Sequence, residues 1–460
     1  MIQEIPYSEP SIVFRAFAAQ PGAILLESAQ HLPDFGRYSF VMADPWQVLE
    51  SRQGKTFLAD EEHPMLFFDL LQQQLEFYSL SHRESLPPFQ GGVAGYLGYE
   101  TGQLLETLPQ AIIDEHGMPE AWLGFYDAVI AFDHKLQRAW IISSGLPEQE
   151  ELSRQQRAKE RLQWLQGFLH NGEAIPFQKT WEQVEVQSDV SESEYCTAVQ
   201  RVVDYIYAGD IYQANYSRRL RAKLPTKVSA YDLYERLTQV NPAPFAAFLN
   251  TKAGIIASAS PERFLKLEGQ QVQTKPIKGT RRRSSNLLED QQIANELLAS
   301  EKDRAENIMI VDLLRNDLSR VCAPHSVQVP QLLELESYTT VHHLVTTVVG
   351  ELEPLHGPID LLKTTFPGGS ITGAPKIRSM EIITELEGQA RGPFYGSIGY
   401  IGFSGMMDTN IVIRTFVIQE DQVTFQVGGG IVADSDPQGE YDESTTKALG
   451  MMRALGADCL

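Results

Sequence analysis

Stretches with the two-residue period of β-strands alternate irregularly with stretches of helical period along this 460-residue chain. Residues 11–142 contain short strand-like segments that are broken by glycine and proline. Residues 192–208 instead place Tyr195 and Val199 on one helical face, and Gly209 follows as a stop signal. Because a doubly wound sheet requires a regular strand–helix order, this pattern predicts an α+β fold.

A polar segment in the middle of the chain indicates a boundary between two regions. Residues 150–169 have the charges and spaced apolar residues of an exposed helix, and residues 171–191 are polar and include Pro176. We therefore expect an N-terminal region, a linker and a C-terminal region, at residues 1–176, 177–190 and 191–460. Since 460 residues can also form one large unit, the two regions are expected to pack together.

Longer patterns give further expectations for individual elements. Residues 254–265 alternate like a strand, residues 287–320 form a long helical region, and residues 396–427 resemble a meander that ends at glycines 428–430. Residues 91–99 are rich in glycine but lack the strand–GxGxxG–helix order of a dinucleotide site. Tight packing between strands explains those glycines better.

Composition argues against several classes of partner. The formal net charge of -22 would repel nucleic acids and anionic membranes. The sequence has no cationic start followed by an apolar stretch and no apolar run long enough to span a bilayer. Cys196, Cys322 and Cys459 are scattered without metal-ligand spacing, so a reducing cytoplasm is the expected compartment. With 43% hydrophobic residues, a sizeable core is feasible.

A lysine in a short basic loop is the main candidate for chemistry. Lys278 lies between Pro276 and Gly279, so the backbone there is expected to be extended and then sharply turned. Positive charge from Lys275 and from the arginines at 281–283 would lower its pKa. A free lysine titrates at ~10.4, and neutrality at working pH requires a partly desolvated site. From the loop alone, a nucleophile and an ordinary solvated basic loop both remain open.

Two segments resemble the signature of the chorismate-utilising enzymes, namely Ser260-Pro261-Glu262-Arg263-Phe264 and Pro276-Ile277-Lys278-Gly279-Thr280. The form with lysine at 278 resembles component I of aminodeoxychorismate synthase, whereas anthranilate synthase component I typically has alanine there. The resemblance is strong over residues 192–447 and weaker before them. It implies the fold of anthranilate synthase component I, in which two large antiparallel β-sheets pack as a sandwich with helices outside.

The resemblance implies catalytic roles for three residues and a substrate contact for a fourth. Lys278 is expected to attack C2 of chorismate as a neutral amine. Glu262 is expected to protonate the departing C4 hydroxyl, because hydroxide is a poor leaving group. His343 matches the family's active-site histidine, although a paired histidine in an apolar strand is otherwise more often structural. Ser370 is expected near the substrate ring; its segment, 366–376, lacks the Gly-Lys-Ser/Thr ending of a phosphate loop.

Two acidic groups in the sequence could hold a metal ion. Mg²⁺ usually takes one or two protein carboxylates, and water and substrate complete its octahedron. Spacing alone favours two solvated acidic faces. The resemblance implies instead that Glu306 and Glu443 bind Mg²⁺, with Asp303 and Glu440 at second-rank positions.

Chorismate carries two carboxylates, so its site requires cations and backbone donors at close range. Arg414 is embedded in an apolar strand-like stretch, where a charged residue is usually paired or functional. Gly428 and Gly430 would let backbone N–H groups approach an anion, and Lys447 lies one helical turn after Glu443. By the resemblance, Arg414, Gly428, Gly430 and Lys447 occupy carboxylate-binding positions.

The resemblance also implies a partner and a second small-molecule site. No cysteine lies in a Gly-x-Cys-x-Gly elbow, so ammonia is expected from a separate glutaminase (amidotransferase) subunit. A segment at 25–28 resembles a tryptophan-binding segment of the family, and the possible tryptophan-binding residues are Ser28, Tyr38, Ser39, Phe40, Pro244 and Phe245. Two alternatives stay open: anthranilate synthase component I, and a non-catalytic subunit that binds chorismate or tryptophan.

Overall fold

The computed structural model of the protein has two large antiparallel β-sheets as its framework. It describes residues 1–30, 36–113, 117–169, 171, 175–338 and 341–457. The strands are β1 (Ile2–Ile5), β2 (Ile24–Glu27), β3 (Tyr38–Met42), β4 (Gln47–Arg52), β5 (Lys55–Leu58), β6 (Glu61–His63), β7 (Gly92–Leu97), β8 (Ala121–Tyr126), β9 (Ala128–Asp133), β10 (Arg138–Ser143), β11 (Val186–Ser188), β12 (Gln213–Lys223), β13 (Phe245–Thr251), β14 (Gly254–Ser260), β15 (Arg263–Glu268), β16 (Gln271–Lys275), β17 (Ile277–Arg282), β18 (Gln328–Ser337), β19 (Val341–Glu351), β20 (Gly373–Ala374), β21 (Ser397–Gly402), β22 (Met407–Asn410), β23 (Thr415–Gln419) and β24 (Gln422–Ile431). The helices are α1 (Pro10–Phe14), α2 (Phe67–Phe77), α3 (Glu151–Gln166), α4 (Glu192–Tyr207), α5 (Ala230–Val240), α6 (Leu287–Ala299), α7 (Glu301–Ser319), α8 (Pro358–Thr365), α9 (Lys376–Glu387) and α10 (Pro437–Leu455).

Strand order places distant parts of the chain side by side. The first sheet has the order β1-β10-β9-β3-β2-β13-β14-β23-β24-β12-β11, and β20 pairs with β12. The second sheet has the order β17-β19-β16-β15-β22-β21-β7-β8-β4-β5-β6, and β18 pairs with β19. The pairings between these strands are antiparallel. This arrangement confirms the predicted α+β class and its two large sheets.

Apolar residues on both faces of the strands explain why the sheets stack with helices outside. In β9, Val129 and Ala131 belong to the core between the two sheets. Ala128, Ile130 and Phe132 alternate with them and pack with α1, α3, α5 and α10 on the outer face. The outer face of the second sheet packs in the same way against α2, α7 and α8. A strand that is buried on both faces can only lie inside such a layered structure.

Side-chain caps fix the beginnings of two helices. Ser191 Oγ accepts the N–H of Glu194 at 3.3 Å, and the Glu194 carboxylate accepts the N–H of Ser191 at 2.8 Å. Ser229 and Asp232 form the same reciprocal box at the start of α5, at 3.0 and 2.9 Å. Such caps each contribute roughly 1 kcal/mol. The helix predicted at 192–208 is confirmed as α4, and α3 confirms the helix predicted at 150–169.

The helical region predicted at 287–320 contains two helices rather than one. Ser300 separates α6 from α7 with an extended backbone, φ -64° and ψ 109°. Its Oγ accepts the N–H of Asp303 at 3.3 Å, so it caps α7. Helical spacing continues on both sides of the cap, and the periodicity therefore hid the break. The cap therefore makes α7 a separate helix.

Two elements predicted as single units cross from one sheet to the other. The strand predicted at 254–265 breaks after Ser260, so that β14 lies in the first sheet and β15 in the second. The meander predicted at 396–427 divides in the same way, with β21 and β22 in the second sheet and β23 and β24 in the first. Glycines 428–430 lie inside β24 and do not end it. A two-residue period continues through such a crossing, so the pattern does not report which sheet a strand joins.

The glycines at 91–99 serve close strand packing, as predicted. Gly92 and Gly95 lie in β7 with φ of +153° and +157°. A Cβ on Gly92 would contact the carbonyl oxygen of Ile401 in β21, and one on Gly95 would contact that of Trp122 in β8. Both neighbouring strands therefore approach β7 at glycine.

Strands from both predicted regions join within each sheet. β2 pairs with β13 in the first sheet, and β7 pairs with β21 in the second. β11 lies inside the segment predicted as a linker and pairs with β12. The boundary at 177–190 stays a prediction.

Two further features bear on the expected environment. None of the described helices combines the length and the apolar character that a membrane span requires. Cys196 and Cys322 are free thiols, and Cys459 lies outside the described residues.

Candidate active site

The candidate site lies where the chain passes from one sheet to the other. The crossings after β14 and β22 run side by side, because the Ile411 N–H donates to the Glu262 carbonyl at 3.0 Å. Ser260 Oγ in turn donates to the Ile411 carbonyl at 2.5 Å. These bonds satisfy backbone groups that leave their sheets at this point. They also hold Glu262 at the junction, with only 5% of its surface exposed.

Glu262 has the environment of a carboxylic acid that titrates near neutral pH. Burial raises its pKa to about 7, while a hydrogen bond from Ser370 and the charge of Lys278 limit the rise. Ser370 Oγ donates to Glu262 Oε1 at 2.7 Å. A group with this pKa can give up a proton at physiological pH, which is what a general acid requires. The sequence led us to expect Ser370 near the substrate ring. The structure places its hydroxyl against Glu262, and the contact with substrate stays a prediction.

Lys278 lies on β17 in the same desolvated region. Burial is the largest influence and lowers the pKa of its ammonium. The carboxylates of Glu306 and Glu262 oppose this effect, and the positive charge of Lys447 adds to it. Glu306, Glu262 and Lys447 come from three distant parts of the chain. The fold therefore gathers around Lys278 the groups that set its protonation.

The explanation that the sequence suggested for the lowered pKa of Lys278 was wrong. Three of the four basic residues near it in sequence are paired with carboxylates, as Lys275–Glu336 at 2.9 Å, Arg281–Asp303 at 2.8 Å and Arg283–Asp290 at 2.6 Å. Successive side chains of a strand point to opposite faces, so closeness in sequence does not bring charges together. Desolvation and Lys447 have the effect that was attributed to these neighbours.

His343 lies on β19, which pairs with β17, and is buried. Its Nδ1 shares a hydrogen bond with Thr280 Oγ1 at 2.8 Å, and the ring of Tyr338 packs edge-on at 5.1 Å. Burial lowers the pKa of His343 to about 3, and the charge of Arg414 contributes. The imidazole is therefore neutral at physiological pH. A neutral ring of such low basicity is suited to hydrogen bonding rather than to proton abstraction.

Carboxylates from α7 and α10 meet beside Lys278. Glu306 extends from α7, and Glu440 and Glu443 extend from α10. Lys302 Nζ lies 3.5 Å from Glu440 Oε1. Although burial lowers the pKa of Lys302, the charges of Glu440, Glu306 and Glu443 raise it overall. The two glutamates predicted as metal ligands thus act on the same two lysines, whereas Asp303 is engaged by Arg281.

Gly429 leaves room next to these carboxylates. A Cβ at this position would lie 3.3 Å from Glu440 Oε2 and from Lys447 Nζ, and 3.8 Å from Glu443 Oε1. Lys447 pairs with Glu443 at 2.8 Å and donates to the Gly428 carbonyl at 2.9 Å. The pairing lowers the pKa of Glu443. The predicted one-turn spacing of Glu443 and Lys447 is confirmed.

The glycines on either side are required by packing against β12. A Cβ on Gly428 would contact the backbone of Tyr216 and Ser217, and one on Gly430 would contact the side-chain amide of Gln213. Their expected role in binding a substrate carboxylate stays a prediction.

The donor set near Gly429 fits Mg²⁺. Glu306, Glu440 and Glu443 offer only carboxylate oxygens, the ligand type that this ion prefers. Across the described ranges, no group of three or more His, Cys, Asp or Glu side chains is arranged to hold a metal on its own. A bound Mg²⁺ would therefore also need oxygens from water or substrate, which is usual for this ion.

Arg414 lies at the second crossing and not within a strand, contrary to the sequence prediction. It precedes β23 with φ 51°, a left-handed conformation that is uncommon outside glycine. Its carbonyl accepts the Ala259 N–H at 3.1 Å. Burial lowers the pKa of Arg414, and its charge reaches His343. The guanidinium thus stands at the site, where a carboxylate ligand could pair with it.

Gln213 is a candidate site residue that the sequence analysis missed. It is fully buried on β12 beside Gly430, and among the described groups neither atom of its amide has a hydrogen-bond partner. A buried amide without a partner costs free energy unless a ligand or water satisfies it. Two residues along, Asn215 Nδ2 donates to the Thr372 carbonyl at 3.1 Å. In the sequence, the only hint of this role was the presence of two side-chain amides, Gln213 and Asn215, two residues apart on one strand.

A separate cavity of about 350 Å³ is lined by Arg263, the residue that follows Glu262 at the first crossing. Five of the six residues predicted to bind tryptophan line it, namely Ser28, Tyr38, Phe40, Pro244 and Phe245. Ser39 lies behind them, where its Oγ accepts the Ser28 N–H at 3.0 Å. Arg263 lies over the Phe245 ring at 5.0 Å and pairs with Asp408 at 3.0 Å. The volume is in the range of small-molecule sites.

Comparison with known proteins agrees with this geometry. The profile of the chorismate binding enzyme family matches residues 22–453. The chain belongs to this family. It is 40% identical over 443 residues to aminodeoxychorismate synthase component 1 of Salmonella typhimurium, which covers 95% of this chain and 93% of the relative.

Anthranilate synthases are similarly close to this chorismate-binding chain. Anthranilate synthase component 1 of Thermus thermophilus is 40% identical over 377 residues, or 82% of this chain and 80% of the relative. The crystal structure of anthranilate synthase component I from Streptococcus pneumoniae TIGR4 superposes with a TM-score of 0.81 at 31% identity, over 92% of this chain and 93% of that one. The predicted anthranilate-synthase-component-I-like fold is confirmed.

Replacement of Ser370 is expected to move the pH dependence of chorismate turnover. The hydrogen bond from Ser370 lowers the pKa of Glu262, so Ser370→Ala should raise that pKa above about 7. If protonated Glu262 is required, the activity that wild type loses as pH rises should persist to higher pH, by ~0.5–1 unit. The measurement is the rate of chorismate loss against pH at constant free ammonia. Ser370→Thr, which keeps the hydroxyl, is the matched control, and an unshifted profile in Ser370→Ala would contradict the assignment.

Proposed function

We propose that this chain is component I of an aminodeoxychorismate synthase, which converts chorismate and ammonia to 4-amino-4-deoxychorismate. The product would serve 4-aminobenzoate and folate biosynthesis in the cytoplasm, and another enzyme would eliminate pyruvate. The observation that carries the proposal is Lys278, a desolvated lysine of lowered pKa within electrostatic reach of Glu262. The identity to the Salmonella typhimurium relative supports the same reading.

The first step uses Lys278 as a nucleophile. Its neutral amine attacks C2 of chorismate, the ring double bonds shift, and the bond from C4 to its hydroxyl breaks. Glu262 gives its proton to the departing oxygen, so that water leaves rather than hydroxide. A covalent amine adduct at C2 results. Burial favours this step twice, because it lowers the pKa of Lys278 and raises the pKa of Glu262.

In the second step, ammonia displaces Lys278 from the substrate ring. Ammonia attacks C4 of the adduct, the double bonds shift back, and the bond between C2 and Lys278 breaks. The carboxylate left on Glu262 can take up the proton that the new amine loses. Two successive displacements give net retention at C4, and the overall change is the exchange of a hydroxyl for an amino group with release of water.

Binding of the substrate would rely on the cations at the edges of the site. Arg414 and Lys447 would pair with carboxylates, with backbone N–H groups near Gly428 and Gly430 as further donors. Neutral His343 would hydrogen-bond to the substrate. Glu306 and Glu443 would hold Mg²⁺, which when bound supplies positive charge that orients a substrate carboxylate.

Anthranilate synthase component I is the second candidate function. It is supported by the Thermus thermophilus relative, which is as similar in identity as the Salmonella typhimurium one. That reaction would place the amine at C2 and eliminate pyruvate, and it leaves Lys278 without a covalent role. A non-catalytic chorismate- or tryptophan-binding subunit is a weaker alternative, because a desolvated lysine and a neutral-range carboxyl are costly features that binding alone does not need.

Product analysis separates these candidates. With chorismate, Mg²⁺ and an ammonium salt, wild type is expected to form 4-amino-4-deoxychorismate and no fluorescent anthranilate, by liquid chromatography. Intact-protein mass spectrometry should detect a chorismate-derived adduct that peptide mapping assigns to Lys278. Lys278→Ala should lose the adduct and at least ~100-fold in rate, because the covalent route is gone. Lys252→Ala is the matched control, since that lysine is exposed and pairs with Asp60 at the surface. An adduct mapped to another residue would contradict the mechanism.

We also propose that ammonia reaches this chain from a separate glutaminase subunit. The isolated chain should then turn over chorismate with ammonium salts but show less than about 1% of that rate with glutamine. Adding a glutaminase subunit should restore the glutamine-dependent rate. Robust glutamine use by the isolated chain would contradict the proposal. The assay is product formation under each nitrogen source at equal pH.

We further propose that the cavity around Ser28 and Phe245 binds tryptophan. A ligand at 100 times its dissociation constant stabilises the folded state by about 2.7 kcal/mol, so tryptophan should raise the melting temperature measured by calorimetry. Alanine at the same concentration is the control ligand and should have no effect. No shift with tryptophan at millimolar concentration, together with no heat of binding in titration calorimetry, would contradict the assignment.

A further inference from the structure

The segment that presents Ser370 is closed into a loop by one lysine. Lys376 Nζ donates to the Thr365 carbonyl at 2.9 Å, eleven residues before it. The same ammonium pairs with Asp317 of α7 at 2.8 Å. Lys376 thus ties the end of the loop to its beginning, and both to a helix that also carries Glu306.

Both members of this pair stand at the unfavourable ends of their helices. Lys376 is the first residue of α9, where the positive end of the helix dipole disfavours a cation. Asp317 is in the last turn of α7, where the negative end disfavours an anion. Burial lowers the pKa of Lys376 and raises that of Asp317, so each charge is also poorly hydrated. Other residues at these two positions would stabilise the helices better. We therefore expect the pair to contribute by fixing the position of the loop between Thr365 and Lys376.

That geometry includes the hydrogen bond from Ser370 to Glu262, which lowers the pKa of Glu262 more than the bond from the backbone of Ile277 does. Ser370 is buried inside the loop and donates to Glu262 Oε1 at 2.7 Å. Between Ser370 and Lys376 the loop is also held by β12, because Asn215 donates to the Thr372 carbonyl from its N–H at 2.8 Å and from Nδ2 at 3.1 Å, and β20 pairs with β12. The loop therefore has a neutral support from β12 and a charged support from α7. Only the charged support ties the loop back to Thr365 at its beginning and to α7.

We propose that the Lys376–Asp317 pair is a positioning device for the acid at Glu262: it fixes the loop at 366–376 so that Ser370 donates to that carboxyl group. Without the pair, the loop is no longer tied to Thr365 and α7, and Ser370 moves out of hydrogen-bond distance of Glu262. Lys376 and Asp317 act through Ser370 and are positioning residues. The inference rests on the proposed role of Glu262 but not on which product the enzyme forms.

The test removes both charges together in K376M/D317L, because removal of one would leave the other buried and unpaired. The matched control is K363M/D69L, which removes an exposed pair at 3.2 Å between α8 and α2, close to the same loop. The primary readout is the pKa of Glu262 from infrared titration of carboxyl bands, assigned by the band that Glu262→Gln abolishes. Circular dichroism and melting temperature report whether each variant folds. The second readout is the pH dependence of chorismate loss at constant free ammonia.

In wild type the Glu262 band is expected to titrate at about 7. In K376M/D317L it should titrate ~0.5–1 unit higher, with kcat reduced about tenfold and KM changed less than about twofold. The control variant should match wild type in both readouts. A merely structural role would lower the melting temperature and leave the pKa of Glu262 in place.

Combination with Ser370→Ala decides whether the pair acts through the serine. Because both changes remove the same hydrogen bond, the triple variant should show the shift of Ser370→Ala and no more. An unshifted Glu262 band in K376M/D317L, or a shift that adds to that of Ser370→Ala, would overturn the proposal.

A second variant covers the case in which K376M/D317L does not fold. Asp317→Glu keeps both charges but lengthens one arm by a methylene, and it should shift the Glu262 band in the same direction by a smaller amount. An unshifted band in that variant also overturns the proposal. Formation of anthranilate by wild type would defeat the proposed function and leave this spectroscopic comparison intact.

Discussion

Desolvation at the paired crossings between the two sheets is the constraint on which the site depends. The hydrogen bonds that join Ser260 and Glu262 to Ile411 place a carboxyl group where the chain passes from one sheet to the other and little water enters. The same exclusion of water raises the pKa of Glu262 to about 7 and lowers that of Lys278. Burial thus shifts the two pKa values in opposite directions, because it penalises the charged form of each group: the carboxylate of Glu262 and the ammonium of Lys278.

Charge at the site is balanced locally although the whole chain carries a net charge of -22. The cations of the site are Lys278 of β17, Lys302 of α7, Lys447 of α10 and Arg414 of the second crossing, and the glutamates that act on the lysines come from β14–β15, α7 and α10. Such close opposite charges dominate over the distant surface charge, because the field of exposed residues is screened within about 10 Å at moderate salt. A dianionic substrate can therefore be attracted to this site on a protein that is acidic overall.

The sequence was most reliable where local chemistry decides structure. Helical spacing predicted α3 and α4, with Gly209 as the stop signal after α4, and period-two alternation predicted the strands on both sides of each crossing. It failed at Ser300, at the two crossings and at Arg414, because periodicity continues through a cap or a change of sheet. Among candidate site residues, Glu262, Lys278 and His343 were predicted from matching motifs, and their catalytic roles stay predictions. Gln213 and the Lys376–Asp317 pair became visible only through burial and contacts.

The sequence by itself determined the family, the α+β class and the side chains available for chemistry, since these follow from residue identity and short-range pattern. Only the tertiary structure decided which charges meet. Lys275, Arg281 and Arg283 pair with other carboxylates, whereas burial and the charges of Glu306 and Lys447, which are far away in sequence, shift the pKa of Lys278. The reason is that electrostatic interaction and desolvation depend on distance in space. Because the chain crosses between the sheets, residues that are close in sequence can be far apart in space, and distant ones can meet.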